Sequence, residues 1–415
     1  MREFIDPMRW FTEDGRAEQE LSRLISILPD IQSPREVGRV FREIIGPVRG
    51  ELPIPLSALF LIGKLSDKLL SETLAVGSRI FSKKFIAGNG EKDILRACDT
   101  AKKRGFSVNI DILGESVCSE KEAERYLNSY LELISIIGER LQGEELSFSV
   151  KLSAFYSQVS SASPEKTATI IAERVAPIAE LLQKNGGHVY LDAEEYEFLE
   201  TYCLVFKKLY RRYGNTARFV LQSYLRKSPD VLSDLIKIND IRTPLHLRLV
   251  RGASWDHECY RAEKLGWHEP PVFTEKSDTD KNFEGLLRMA LRNGLVAIPG
   301  THNAKSIYFA VSEERFGLRI KELQVLKGMG EPFAEIIRDK GYKVRFYMPV
   351  LFPKGDISAA MAYLVRRIVE NKSQTSFLAL HRGEKLKDAL RWLEKIPAKQ
   401  NLSAAAKRSA KGVAQ

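Results

Sequence analysis

The segment between Tyr363 and Glu370 contains the side chains best suited to bind a small anion. Arg366, Arg367 and Glu370 follow Tyr363 by three, four and seven residues, so on a helix all four share one face. Two guanidinium groups beside an aromatic ring suit a small carboxylate with an apolar body, because each planar guanidinium can form two parallel hydrogen bonds with a carboxylate. A solvated, charged helix face is the alternative interpretation of this spacing.

A second group of polar side chains stands where short β-rich segments end. One polar residue at a strand end is ordinary, but this group covers six of eight predicted strands. In a barrel of parallel strands, side chains at the carboxyl ends converge above the barrel mouth, so we predict the site there. A strand-end Asp or a His-Asn pair can also serve only as a helix cap. The group consists of Lys151, Asp192, Gln222, Arg248 with Arg251, His302 and Tyr347.

The elements that would position these residues alternate regularly after Gly105. Eight strands, each followed by a helix, indicate an α/β fold, a (β/α)8 TIM-type barrel. A doubly wound open sheet is the competing architecture, but the glycine-rich fingerprint that usually follows its first strand is absent. The predicted strands are 106–113, 146–153, 188–192, 218–224, 245–250, 295–301, 320–326 and 343–349. The predicted helices are 120–141, 164–182, 195–213, 229–238, 280–292, 304–314, 331–340 and 357–371.

The chain of 415 residues divides into three predicted parts. Residues 1–104 are expected to form an N-terminal helical arm, because apolar residues recur there at helical spacing and prolines interrupt the series. Residues 105–380 are expected to form the barrel. Residues 381–415 are expected to form a C-terminal helix and a short, basic, disordered tail.

Composition and charge exclude several classes of protein. The net charge is +10, and half of it comes from the last 21 residues, which contain five basic side chains and no acid. The body is therefore not expected to bind nucleic acid specifically, whereas the tail could contact anionic lipid. The four cysteines are far apart, which argues against zinc sites and disulfide frameworks and indicates reduced thiols inside the cell. We expect neither a membrane span nor a secretory signal.

In their order along the chain, these segments resemble the proline dehydrogenase family, an FAD-dependent barrel found alone or as one domain of bifunctional proline-utilisation proteins. The eighth-helix stretch is the most specific of the matching segments, and the ordered set is more specific than any one of them. The matches are residues 150–154, 191–195, 221–224, 248–253, 273–276, 300–303, 326–330 and 363–371.

The resemblance implies a role for each candidate residue. Asp192 and Arg248 would be the catalytic pair near the flavin. Substrate binding would fall to Lys151, Arg366 and Arg367 on the carboxylate, Tyr347 and Tyr363 around the ring, and Glu370 orienting the arginines. FAD would be held by Ala193, Gln222, Arg251, Gly252, Ala253, Trp255, Lys276, Thr301 and His302. No metal is implied.

Three residues depart from the family pattern. Ser254 stands where the family commonly has Tyr, which removes an aromatic group near the substrate and bears on substrate preference. Arg251 replaces a frequent Lys, a change that keeps the positive charge for a phosphate. Lys327 stands where His or Tyr is usual before Gly-Met-Gly.

The resemblance implies oxidation of L-proline to pyrroline-5-carboxylate, the first step of proline breakdown to glutamate, with electrons passed to a membrane quinone. The length implies a monofunctional, cytoplasmic form, and the basic tail is compatible with peripheral contact at the inner membrane. Alternatives are oxidation of hydroxyproline or another small cyclic imino acid, a methylenetetrahydrofolate reductase relative, and a non-catalytic sensor or scaffold that kept the fold.

Overall fold

The computed structural model describes most of the chain, in two compact units. The units are Met1–Ala87 with Lys354–Ala389, and Gly88–Pro353 with Leu390–Gln415. The predicted eighth helix at 357–371 and the predicted disordered tail beyond 399 lie outside the described residues. Those residues are 16, 20, 23–24, 27, 31, 33–51, 54–74, 85–114, 117–141, 143–318, 320–355 and 383–399.

The first unit contains several helices within its described residues. Helix α1 (Pro34–Ile45) begins where the Ser33 hydroxyl accepts a hydrogen bond of 3.2 Å from the Glu36 amide, with proline at the first helical position. Its apolar face is buried, and helix α2 (Ile54–Leu65) follows a short 3-10 turn.

The second unit contains a closed barrel of parallel strands. Strands β2 to β7 pair in chain order, and β9 pairs with both β2 and β8. The ring closes between β7 and β8 through a parallel bridge of Gly300 with Gln324. The strands are β1 (Gly88–Asn89), β2 (Ser107–Ile112), β3 (Ser147–Lys151), β4 (His188–Asp192), β5 (Ala217–Gln222), β6 (His246–Val250), β7 (Val296–Pro299), β8 (Leu323–Leu326) and β9 (Val344–Leu351). The eight strands β2 to β9 confirm the predicted TIM-type barrel, and β1 only extends the end of β9.

Helices follow the strands as the alternation predicted. They are α3 (Glu91–Lys103), α4 (Glu120–Arg140), α5 (Pro164–Lys184), α6 (Leu199–Tyr213), α7 (Ser228–Lys237), α8 (Trp255–Lys264), α9 (Lys276–Arg292), α10 (Ala304–Ser312), α11 (Glu331–Asp339) and α12 (Gly383–Glu394). Helix α8 was not predicted, because it buries only Glu258 and Ala262 and so lacks an apolar period. Helix α3 packs on β2 and belongs to the barrel unit, which begins at Gly88 and not at 105. Within the described residues, no helix is both long and apolar enough to cross a membrane.

The amino-terminal end of the barrel is filled by an ionic layer. Glu145 accepts contacts from Arg218 at 3.0 Å and Arg345 at 2.8 Å. Arg345 is fully buried and also pairs with buried Glu322 at 2.7 Å. Charges of both signs are needed here, since an unpaired buried guanidinium would be strongly unfavourable. Glu145 also meets Lys321 and Lys343, so one carboxylate serves four cations.

Two buried histidines border the ionic layer. Burial, followed by the charges of Arg218 and Lys321, lowers the pKa of His246 to about 3. The same causes, with burial first, lower the pKa of His188 well below its usual value. Both side chains are therefore neutral in the folded protein at neutral pH. Because an unfolded histidine titrates near about 6.5, the unfolded chain binds protons that the folded chain does not.

We expect stability to fall as the pH drops below about 6.5, because the depressed pKa of His246 favours the unfolded state there. The His246→Gln variant should lose less stability than the wild type between pH 6 and pH 5, by up to about 1.4 kcal/mol. Urea unfolding at pH 7.5, 6 and 5 measures this difference. His268→Gln, at an exposed position, is the control and should show the same dependence of unfolding free energy on pH as the wild type. The same dependence in all three proteins would contradict the depressed pKa of His246.

Candidate active site

Three side chains on β4, β6 and β9 form one hydrogen-bonded group, in which Asp192 ends its strand, whereas Arg248 and Tyr347 lie within theirs and not at the predicted strand ends. Arg248 Nη1 donates to Asp192 Oδ1 at 2.8 Å, and the Tyr347 hydroxyl donates to Asp192 Oδ2 at 2.7 Å. Arg248 and Asp192 are largely buried, with side-chain exposures of 4% and 15%. Both carboxylate oxygens of Asp192 thus have a partner, and the pair is shielded from water. The barrel brings together three residues that lie up to 155 positions apart.

The guanidinium of Arg248 is held from below. Nη1 also donates to Ser149 Oγ at 3.0 Å, and the central carbon lies 3.7 Å from the centroid of the Tyr190 ring. Nε and Nη2 are buried and have no hydrogen-bond partner among the described residues. A buried donor without an acceptor is costly, so a ligand acceptor at this position would be favoured. This observation fits a bound flavin or substrate next to Arg248.

Lys151 ends β3 close to a buried acid that sequence reasoning missed. Its Nζ donates to the Gly114 carbonyl at 3.1 Å and lies 4.0 Å from Asp111 Oδ2. Asp111 is fully buried on β2. Burial and then the charge of Asp111 raise the pKa of Tyr126 well above its usual value. The signal was an acid within a predicted buried strand, which is rare unless the acid is paired or functional.

A basic group forms a second part of the site, beside the carboxyl ends of β6 and β7. Arg251 donates through Nε and Nη2 to Asp280 Oδ1 at 2.9 and 2.7 Å, and through Nη1 to the Thr301 hydroxyl. Lys276 Nζ donates to the other oxygen of Asp280 at 2.6 Å. Two cations and one carboxylate leave a positive charge, next to the amino end of α10. This arrangement fits an anionic group such as a pyrophosphate.

Asp280 was not predicted, yet it organises this basic group. Burial alone would raise the pKa of Asp280, but the Arg251 charge and the hydrogen bond from Lys276 outweigh it, and the pKa is lowered. Burial lowers the pKa of Lys276, against the hydrogen bond to Asp280. The sequence signal was only the i, i+4 spacing of Lys276 and Asp280, which is typical of an ordinary surface pair.

The remaining predicted cofactor residues lie around these two groups. Gln222 is buried at the end of β5, and Ala193 packs on Tyr190. Trp255 is the first residue of α8, and its Nε1 donates to the Phe273 carbonyl at 2.9 Å. The side chain is half-exposed and therefore not part of the core. Ala253 and Ser254 connect β6 to α8.

Two positions in this region are shaped by close packing. Gly252 has φ +128°, and a Cβ atom there would lie 2.4 Å from the Tyr224 ring, so only glycine fits. His302 Nε2 accepts a hydrogen bond of 2.8 Å from the Leu326 amide, which joins the ends of β7 and β8. His302 therefore supports the mouth of the barrel, whatever ligand it also meets.

Four predicted substrate residues, Tyr363, Arg366, Arg367 and Glu370, lie outside the described residues. Their roles remain predictions. Of the other predicted site residues, Asp192, Arg248 and Tyr347 come together directly, and Arg251, Lys276 and Thr301 form the basic group.

A parallel eight-stranded barrel with a buried ion pair and a basic group at the carboxyl ends of its strands defines a TIM-type barrel with a ligand site at its mouth. The family model of proline dehydrogenase matches residues 94–380, about two-thirds of the chain. The chain belongs to the proline dehydrogenase family.

Known relatives agree with this assignment. The chain is 28% identical over 361 residues to the bifunctional protein PutA of Klebsiella aerogenes, covering 82% of this chain and 27% of that protein. It is 27% identical over 309 residues to proline dehydrogenase 2 of Bacillus subtilis (strain 168), covering 72% of this chain and 90% of that protein. The chain thus spans about a quarter of the bifunctional relative and most of the shorter one.

A solved structure shares the fold. The crystal structure of proline utilization A from Bdellovibrio bacteriovorus, inactivated by N-propargylglycine, superposes with a TM-score of 0.80 at 29% identity. The match covers 93% of this chain and 40% of that chain.

We expect Asp280→Asn to destabilise the protein by about 1–3 kcal/mol, because it leaves Arg251 and Lys276 close together without their shared countercharge. Urea unfolding at neutral pH measures the loss. Asp278→Asn on the same helix is the control, since its pair with Lys281 is solvent-exposed and should contribute less than about 0.5 kcal/mol. Equal effects of the two variants would mean that Asp280 is only a surface residue.

Proposed function

We propose that the chain is a flavin-dependent oxidoreductase that converts L-proline to pyrroline-5-carboxylate. The observation that carries the proposal is the buried Asp192–Arg248 pair, whose two free guanidinium donors face no acceptor among the described residues. Membership of the proline dehydrogenase family supports the reaction. Chemistry at the carboxyl ends of the strands is what this kind of barrel performs.

The basic group supports FAD as the cofactor. Arg251, Lys276 and Thr301 would hold the pyrophosphate, where α10 begins with Asn303 as its cap. Gln222 and the backbone of Ala193, Gly252 and Ala253 would line the flavin, with His302 nearby and Trp255 beside the adenine. Bound FAD would supply the two-electron acceptor that the oxidation requires.

The reaction breaks the C–H bond next to the ring nitrogen and forms a C=N double bond, with loss of a proton from the nitrogen. Each carboxylate oxygen of Asp192 accepts one hydrogen bond, from Arg248 or from Tyr347. Its role is to hold Arg248 in place and to keep the charge of the pair balanced. Arg248 then directs Nε and Nη2 towards the reacting groups.

The substrate carboxylate would be bound by Arg366, Arg367 and Lys151. Lys151 is half-buried beside Asp111, within reach of the same mouth as Asp192. Tyr347 and Tyr363 would enclose the pyrrolidine ring, and Glu370 would orient the two arginines. These assignments carry over from the family resemblance.

Ser254 supports a second candidate substrate. It stands where the family commonly has an aromatic Tyr, and it lies half-buried immediately before α8. A smaller side chain leaves more room and a hydroxyl group near the ring. Hydroxyproline or another small cyclic imino acid is therefore the alternative substrate.

The proposal extends to the route of the electrons. They would pass to a membrane quinone, which makes the reaction the first step of proline breakdown to glutamate. The protein would act in the cytoplasm, with peripheral contact at the inner membrane through the basic tail, residues 395–415.

Flavin reduction tests the function directly. The purified chain should carry about one FAD, and anaerobic addition of L-proline should bleach the flavin absorbance. A parallel titration with 4-hydroxy-L-proline separates the two substrate candidates by their reduction rates. A titration with 5-methyltetrahydrofolate, the reduced folate that can donate two electrons to a flavin, tests the other flavin barrel. Absence of FAD uptake, or a flavin that none of these compounds reduces, would leave a non-catalytic relative.

Replacing Arg366 or Arg367 with Met should raise the KM for proline by about ten- to a hundredfold, because each charge-assisted hydrogen bond contributes roughly 1.5–3 kcal/mol. Turnover at saturation should fall less, since the carboxylate keeps its charge throughout the reaction. Steady-state kinetics and flavin content per chain measure both effects. Lys at either position should recover only part of the loss, because a point charge cannot form the two-pronged contact.

Arg96→Met, at a solvent-exposed position on α3, is the control and should leave KM unchanged. Near-normal KM values in both Met variants would contradict a substrate-binding role for residues 363–370. They would favour the alternative interpretation of a solvated, charged helix face.

A further inference from the structure

Tyr190 occupies the centre of the barrel and is fully buried. It is the middle residue of β4, two positions before Asp192 and two after His188, so all three face the same side of the strand. It therefore lies between the ionic layer at the amino ends of the strands and the ion pair at their carboxyl ends. Sequence analysis did not single out Tyr190, since an aromatic residue in a strand is normally part of the core.

The upper contact of Tyr190 is with Arg248. The guanidinium carbon is 3.7 Å from the ring centroid, well within the range of a cation–π interaction. Because Arg248 is almost fully buried, no water competes for its charge. The guanidinium of Arg248 therefore packs directly against the face of the Tyr190 ring.

The lower contacts of Tyr190 fix the ring itself. Its hydroxyl accepts hydrogen bonds from Arg218 Nη1 at 3.2 Å and from Gln324 Nε2 at 3.1 Å. Arg218 is in turn bound to Glu145 at 3.0 Å, and Gln324 to Glu322 at 2.8 Å. The ring is thus anchored to the ionic layer by two donors that are themselves fixed.

A lateral contact completes the support of Arg248. Ser149 Oγ accepts from Arg248 Nη1 at 3.0 Å and from Asn109 Nδ2 at 2.9 Å. The Ser147 hydroxyl donates to Asn109 Oδ1 at 2.7 Å. Asp192 and Ser149 both engage Nη1, so among the described residues the other two nitrogens are held by no hydrogen bond and the contact with the Tyr190 ring is what supports the rest of the guanidinium.

We propose that Tyr190 is a positioning residue for Arg248, which it holds so that Nε and Nη2 are presented to the flavin and the substrate. The proposal deepens the proposed function and rests on it for its kinetic consequence. Its structural content, that the ring determines the placement of Arg248, stands on the described contacts alone. The aromatic face is the required feature, and the hydroxyl group only anchors it.

Two substitutions distinguish the contribution of the Tyr190 aromatic ring from that of its hydroxyl group. Tyr190→Leu removes the ring, whereas Tyr190→Phe keeps it. We expect the rate constant of flavin reduction at saturating proline to fall about ten- to a hundredfold in the Leu variant, because small misplacements of a reacting group have effects of that size. The Phe variant should stay within about threefold of the wild type, and FAD per chain should not change in either variant.

Tyr213→Leu is the matched control. Tyr213 is also buried, but it ends α6 outside the barrel. This variant should lose stability in thermal unfolding and keep the wild-type rate of flavin reduction. A structural role for Tyr190 would give the same result in its Leu variant, and that outcome would overturn the proposal.

A readout on the flavin-free protein is independent of the reaction. In a crystal structure of the flavin-free protein, the Arg248 guanidinium should leave its place between Asp192 and Ser149 in Tyr190→Leu and keep both contacts in Tyr190→Phe. If proline fails to reduce the wild-type flavin, the proposed function falls, and this structure still decides whether Tyr190 positions Arg248. An unmoved guanidinium in the Leu variant would overturn the proposal. If the Leu variant does not fold, Tyr190→Met, which fills more of the space, replaces it. The rate of flavin reduction and the placement of Arg248 are then measured on that variant.

Discussion

The polar side chains inside the barrel are arranged around one buried ion pair, between Asp192 and Arg248. Two charges removed from water are costly unless the opposite charge and hydrogen bonds compensate for the lost hydration. Tyr347 on β9 and Ser149 on β3 supply hydrogen bonds, and the Tyr190 ring lies against the guanidinium. Each of these residues is on a different strand, so the pair can exist only in the closed barrel.

The same requirement explains the polar interior of the strands. A TIM-type barrel is usually filled by branched apolar residues. Here β2, β3 and β4 contribute Asn109, Ser149 and Tyr190 at inward positions, while the alternate positions, such as Phe148 and Val150, pack outwards in the apolar core. On these three strands, side chains point alternately inwards and outwards. The alternation therefore separates hydrogen-bonded side chains inside the barrel from a hydrophobic layer beneath the helices.

The sequence predicted the architecture, because strands and helices alternate along it. It predicted Asp192, Arg248 and Tyr347 as site residues because polar residues there interrupt apolar runs; Asp192 ends β4, whereas Arg248 and Tyr347 lie within β6 and β9. Asp280 could not be distinguished from an ordinary helix-surface acid, because its partner Arg251 lies 29 residues away and only the fold brings them together. Tyr190 could not be separated from core aromatics for the same reason, and α8 lacks the apolar period that would have predicted it.

The pairing of β9 with β2 has a consequence for biosynthesis. Arg345 donates to the carbonyl of Val108, 237 residues earlier in the chain. At roughly 5–20 residues per second, the ribosome needs on the order of ten to fifty seconds to supply this partner, and during that time one edge of β2 has no neighbour. An unpaired edge is a site of aggregation, and charged inward residues are a known protection against it. Glu145 and Arg218 are made during this interval and would be exposed and hydrated in the open sheet, so charges that later join the ionic layer oppose edge-to-edge association before the barrel closes.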